Sequence, residues 1–308
     1  MPPKPGPPPR QVPRRTVIVR RLIALGALIV ALVIVGITLA VHHGRSTAAP
    51  ATTVVPPPKP FRIIFPEGMT RAAMAHRVSV VAKIAEQKSH KHVQLSAHGY
   101  LHWSQPRAIA GFGRKRSLEG FLFPATYDFL RSTTSRQLVT DQLEAFAQNW
   151  RKIDMSYARK KNLTPYDVLI IASMVEGETV APDERPLVAA VIYNRLHDRM
   201  PLGIDATIRY GLHVPGTKSL LESELNSDNP YNTRKFLGLP PTPIGNPGLS
   251  SIKAAAHPAR KPYLFYVVRP CGNGGHAFSS TEAQFQADVA KYNAARAANG
   301  GKSPSNCK

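Results

Sequence analysis

The sequence predicts an α+β protein carried on a single N-terminal transmembrane helix, with a mixed helix/strand domain beyond it. Three observations lead there. Leu22 to Val41 is an uncharged apolar run of bilayer-spanning length. From Phe61 onward, short alternating β-rich segments are interspersed with segments of helical period. Near the middle, Val168 to Val175 is apolar nearly all round and ends abruptly in two acids, which marks a buried helix.

The chain has 308 residues and a formal net charge of +21, enough length for an anchor and one or two compact domains. A field of that sign favours polyanions: nucleic acid, anionic lipid or anionic wall polymer. The apolar run selects among them. It is preceded by Lys4, Arg10, Arg14, Arg15, Arg20 and Arg21 and by no acid. The positive-inside rule then places the N-terminus in the cytoplasm and everything after Val41 outside, at the cell membrane. A cleaved signal peptide is the rival, but its apolar region typically spans only about 7 to 15 residues. An outward-facing domain has no nucleic-acid partner, so lipid headgroups and wall polymers remain.

Residues 1–21 are Pro- and Arg-rich and read as a disordered cytoplasmic tail; 42–60 read as a Pro-rich linker. FRIIF from Phe61 is strand-like, Pro66-Glu67-Gly68 a turn, and Thr70 an N-cap for a helix through about Gln87, with Val78, Val81 and Ile84 at helical spacing. Glu119 to Phe129 reads as strand and bend. One long amphipathic helix is predicted from about Ser135 to Lys160. Thr164-Pro165-Tyr166-Asp167 combines an N-cap, Pro at the first helical position and an acid in the first turn, and so starts the buried helix. A second helix follows Pro182. A Pro/Gly-rich stretch spans 229–248, and a short helix covers about Leu249 to Ala256. Strands at Tyr263–Val268 and Ala277–Ser279 and a helix from about Thr281 complete the chain.

The buried helix delivers Glu176-Gly177-Glu178-Thr179 at its C-terminal end. A carboxyl there is disfavoured as an anion both by burial and by the negative end of the helix dipole, so its pKa rises toward the range of a general acid. Glu176 and Glu178, two residues apart, point to nearly opposite sides. A hydrolytic glycosidase needs a second carboxylate about 5 to 9.5 Å from its acid, and spacing leaves Asp183, Glu184 and Asp205 open for that part. The bland reading of such acids is solvated surface charge.

Ordered motifs add a resemblance. IASMVEGET (171–179), AVIYNRL (190–196), LGIDAT (202–207), PYNT (230–233), GLPPTPI (238–244), AAAHPA (254–259) and GGHAF (274–278), with GFLFPATY (120–127) upstream, resemble the YceG-like endolytic murein transglycosylase (MltG) family over residues 61–297. The resemblance implies a LysM-like subdomain at 61–110, a lytic transglycosylase domain at 111–300 and a short tail at 301–308. It also implies cleavage of the MurNAc-β-1,4-GlcNAc bond of nascent peptidoglycan strands without water, giving 1,6-anhydroMurNAc ends. Peptidoglycan synthases are then candidate partners, and the enzyme would act as a terminase of glycan polymerisation. One acid suffices for that chemistry. The role falls on Glu178, with Glu176 as the second choice or a supporting acid. Gly177 stands where a longer polar residue is common in the family.

Softer assignments to substrate binding go to Asn194, Asp205, Thr207, Tyr231 and Asn232; turn chemistry accounts equally for the Asn229-Pro230 region. His257 and His276 read as helix cap or loop residues as readily as ligands. No Cys/His spacing suits a metal, and no cofactor is expected. Cys271 and Cys307 either pair, closing the C-terminal segment onto the 270–275 loop, or stay as thiols.

Overall fold

The computed structural model describes residues 14–43 and 58–304. The expectations for residues 1–13 and 44–57, and for Cys307 in the C-terminal tail, lie outside them. Two compact units divide at Pro57/Pro58. The first contains helix α1 (Arg14–His43), whose segment Leu22–Val41 has a mean hydropathy of 3.0 and no buried residue. It is long and apolar enough to cross a bilayer. The helix begins at Arg14, inside the segment read as disordered tail, because Arg is a good helix former and nothing breaks the run into the apolar stretch.

The second unit opens with β1 (Phe61–Ile64), α2 (Arg71–Ser89) and α3 (Ala97–Trp103), and continues to β2 (Thr126–Phe129). Strands β1 and β2 pair antiparallel, Phe61 opposite Phe129 and Ile64 opposite Thr126. The unit that starts at Phe61 therefore closes its sheet only at Phe129. Thr70 caps α2 by accepting from the Ala73 amide at 3.1 Å. On α2 the buried face is Met74, Ala75, Val78, Ala82 and Ala85, whereas Ile84 is 44% exposed. Small alanines, invisible to a search for large apolar residues, carry the packing.

The long helix predicted over 135–160 is two helices, α4 (Ser135–Trp150) and α5 (Ser156–Lys160). Asp154 breaks it: its carboxylate accepts from the Ser156 amide (2.8 Å) and hydroxyl (2.9 Å), an Asx arrangement that competes with helical hydrogen bonding. Helix α6 (Pro165–Glu178) follows, started by a reciprocal capping box between Thr164 and Asp167. Then come one turn of 3-10 helix (Pro182–Glu184), α7 (Arg185–His197), α8 (Asp205–Leu212), α9 (Glu222–Leu225) and α10 (Leu249–Ala256). A hairpin of β3 (Phe265–Val268) and β4 (His276–Ser279) leads into α11 (Glu282–Ala298). Cys271, in the hairpin loop, is disulfide-bonded, and its amide donates to the Pro304 carbonyl at 2.9 Å.

Helix α6 is the axis of the core. Tyr166 and Val168 to Val175 are all buried, and the helix packs against α7 and α10. The 243–246 segment lies over it, with the Ile244 amide donating to Ser173 Oγ at 3.0 Å. Within the second unit, that segment also ties the turn before α2 to the core. Gly68 N–H reaches the Asn246 carbonyl (2.8 Å) and Asn246 N–H the Met69 carbonyl (3.0 Å). A Cβ on Gly245 would meet the Gly68 carbonyl oxygen at 2.5 Å, so this approach requires glycine.

Candidate active site

Glu178 is the last residue of α6, and Thr179 closes the helix by donating its hydroxyl to the Val175 carbonyl at 2.6 Å. The Glu178 side chain is half-buried and faces the region between the α8 N-terminus and the β3–β4 hairpin. Tyr266 on β3 donates its hydroxyl to Glu178 Oε2 at 3.0 Å, and the Ala206 amide in the first turn of α8 also favours the anion. Burial is the larger influence, and the Glu178 pKa is raised, with the nearby Asp205 carboxylate pushing the same way. Tyr266 itself is pushed well above the ordinary phenol range, by burial first and by Glu178 second.

Glu176 goes elsewhere. Its Oε2 accepts from the Gly248 amide at the start of α10 (3.0 Å), and its Oε1 lies 3.5 Å from the Arg185 guanidinium. Arg185 also meets Glu67 at 3.8 Å and donates to Ser251 Oγ at 3.1 Å. Glu176 thus joins α6, α7, α10 and the turn before α2 through one ionic cluster, buried at Glu176 and open at Glu67. Burial, then the adjacent Glu176, raises the Glu67 pKa.

The other residues singled out in the sequence are held in the surrounding framework. Asn194 Nδ2 donates to the carbonyls of Lys261 and Tyr263 (2.9 and 2.8 Å), which fixes the approach to β3. Asp205 accepts two hydrogen bonds from Arg234 (2.9 and 2.7 Å). Thr207 is fully buried, bonded to the Ile204 carbonyl and to the Thr233 hydroxyl. Tyr231 meets Thr242 Oγ1 at 2.8 Å, and buried Asn232 donates to the Leu225 and Ser227 carbonyls. Of these, Asp205 comes near enough to Glu178 to act on its charge.

Two residues went unnoticed in the sequence. Tyr266 lies 88 positions from Glu178 in a strand of ordinary composition, and only tertiary pairing brings them together. Glu119 is 4% exposed and accepts from the Arg71 amide (2.8 Å), Asn246 Nδ2 (2.9 Å) and the Tyr210 hydroxyl (3.1 Å). Burial outweighs these donors and pushes its pKa up to about 7. It lines a groove of about 570 Å³ together with Thr70, Arg71, Tyr210, Gly177 and Ala206, the last two being chain neighbours of the Glu178 site. A Cβ at Gly177 would meet the Ala206 Cβ at 3.2 Å and Ile244 Cδ1 at 3.8 Å, so α8 closes on that position of α6.

The YceG-like family model matches residues 39–291, from the apolar helix to α11. The chain belongs to the YceG-like family. Among its relatives, a protein of Bacillus subtilis named endolytic murein transglycosylase is 36% identical over 180 residues, 58% of this chain and 49% of the relative. A Streptococcus pneumoniae protein of the same name is 37% identical over 160 residues, 51% of this chain and 29% of the relative. The chain thus spans about half or less of the length of the curated relatives it matches. A crystal structure of a YceG-like protein from Listeria monocytogenes superposes with a TM-score of 0.58 at 27% identity, covering 75% of this chain and 76% of that one. In this YceG-like protein the core helix ends in one carboxyl of raised pKa, Glu178, and the neighbouring groove holds a second, Glu119.

Proposed function

We propose that this protein is a membrane-anchored endolytic transglycosylase of peptidoglycan, with Glu178 as its single acid and base. The observation that carries the reading is the half-buried Glu178 carboxyl, desolvated enough to raise its pKa and held through Oε2 by Tyr266. Membership of the family and the names of its relatives supply the substrate class.

The chemistry needs one carboxyl in two roles. Protonated Glu178 gives its proton to the glycosidic oxygen, the C1–O bond of MurNAc breaks, and the electron pair leaves with the 4-hydroxyl of GlcNAc. The resulting carboxylate takes the proton of the MurNAc C6 hydroxyl as O6 bonds to C1. The product is a 1,6-anhydro ring, no water is consumed, and Glu178 is protonated again. Of the three candidates for a hydrolytic partner, Glu184 and Asp205 are bonded to His276 and Arg234 respectively and Asp183 is exposed, which favours this route over a muramidase. Glu176 supports the site by holding α6, α7 and α10 together.

The remaining parts follow the same reading. Helix α1 serves as a single-pass anchor with a cytoplasmic N-terminus, because the basic flank lies on its N-terminal side. The β1–α2–α3–β2 order, two helices between paired antiparallel strands, supports a LysM-like wall-binding subdomain. Action on nascent strands at the membrane would terminate glycan polymerisation beside a synthase. Digestion of uncrosslinked strands with end-group mass spectrometry tests the reaction: anhydro ends are expected, whereas reducing ends would assign a hydrolase and intact strands a binding protein.

A further inference from the structure

The β3–β4 hairpin places a line of side chains behind Glu178 that the reaction above does not use. Tyr266 stands opposite Phe278 and Val268 opposite His276, so Tyr266 and His276 share one face of the hairpin as diagonal neighbours. Their rings meet edge-on with centroids 5.2 Å apart. His276 is in turn clamped at two points by Glu184, which accepts from its backbone amide (2.7 Å) and lies 2.7 Å from its Nδ1. Both side chains are more than nine-tenths buried, and Gly275 lets the strand approach, since a Cβ there would meet Glu184 Oε1 at 3.0 Å. Tyr193 and Tyr127 spend their hydroxyls on framework carbonyls, those of Ala255 and Phe123. Tyr266 spends its own on the carboxyl that handles the proton.

We propose that Tyr266 is the positioning residue of this site: its hydroxyl fixes Glu178 Oε2 and leaves Oε1 to give and take the proton, while Glu184 and His276 lock the tyrosine ring. The proposal rests on the reading of Glu178 as the acid. A donor to Oε2 favours the carboxylate, so Tyr266 limits how far burial raises the Glu178 pKa. The charged groups around this pair are Asp205 on α8, paired with Arg234, His276 on β4, and Arg195 on α7. Asp205 opposes ionisation of Glu178 and His276 favours it.

The test is the pH dependence of anhydro-product formation by the full chain on uncrosslinked glycan strands. Activity that needs protonated Glu178 falls as pH rises through its pKa. Tyr266→Phe removes the donor, so this alkaline limb should move up by about one pH unit, with kcat lowered on the order of tenfold and KM little changed. Site-specific 3-fluorotyrosine at position 266, nearly isosteric but a stronger donor, should move the limb down. Opposite displacements in the two proteins support the proposal. Limbs that superpose on wild type, with Glu178→Gln inactive, overturn it while leaving Glu178 as the acid. Cleavage by Glu178→Gln at the wild-type rate would instead remove the underlying reading. If Tyr266→Phe fails to fold by near-ultraviolet circular dichroism, the fluorotyrosine protein decides alone: an unmoved limb overturns the proposal.

Discussion

A carboxyl that must donate a proton near neutral pH has to resist ionising, and burial raises the pKa of both Glu178 and Glu119. At Glu178 the environment is divided: burial and Asp205 oppose the anion, Tyr266 and the Ala206 amide favour it. At Glu119 three donors fail to offset burial, and the pKa reaches about 7. The folded state therefore binds this proton more tightly than the unfolded chain, whose value is about 4.5. The corresponding stability is fully present below about pH 4.5 and is lost as pH rises through about 7. At about 1.4 kcal/mol per pH unit this amounts to roughly 3 kcal/mol. Glutamine at 119 would keep an acceptor for Arg71 and Asn246 and offer an amide donor to the Tyr210 oxygen. Urea denaturation of Glu119→Gln between pH 5 and 8 should accordingly show a flatter stability profile than wild type. An unchanged slope would mean that Glu119 is ionised throughout.

Elements were legible where local chemistry specifies them. The Thr164 capping box, the apolar run of α6 and its acid-bearing end all lie within 16 residues, and the structure reproduces that helix from Pro165 to Glu178. The break at Asp154 was missed because a side chain competing for its own backbone leaves no mark in hydrophobic period. Helix α3 carries a single buried residue, Tyr100, and so shows no periodic stripe at all. The partners of Glu178 come from α8, β3 and β4, and no sequence spacing relates them. Two variants probe the elements that aim the site. Thr164→Ala removes the cap of α6 and should cost about 1 kcal/mol in denaturant melts. Asn246→Ala is expected to cost more, about 2 to 4 kcal/mol, because the Gly120 and Leu122 amides, both donating to Asn246 Oδ1 at 2.9 Å, would be left buried without an acceptor. Equal costs would show that water replaces the lost acceptor.

At the scale of the whole molecule, helix α1 offers about 20 residues long and apolar enough to cross a bilayer, and a net charge of +21 is of the sign that favours polyanions. A reporter fused to the C-terminus and active only outside the cytoplasm is the expected topology result; cytoplasmic activity would reverse it. Adding 0.5 M salt should weaken binding of the chain to anionic wall polymer while leaving membrane insertion intact, since exposed charges are screened and apolar burial is not. Loss of both together would show that the helix does not insert.

The central claim is that one carboxyl, Glu178, is both acid and base. It is tested most directly by giving Glu178→Gln and Glu176→Gln proteins, both shown to be folded and membrane-inserted, uncrosslinked glycan strands and identifying the ends by mass spectrometry. The account predicts no 1,6-anhydroMurNAc ends from Glu178→Gln and residual formation from Glu176→Gln. Anhydro ends from Glu178→Gln at the wild-type rate, with none from Glu176→Gln, would contradict it.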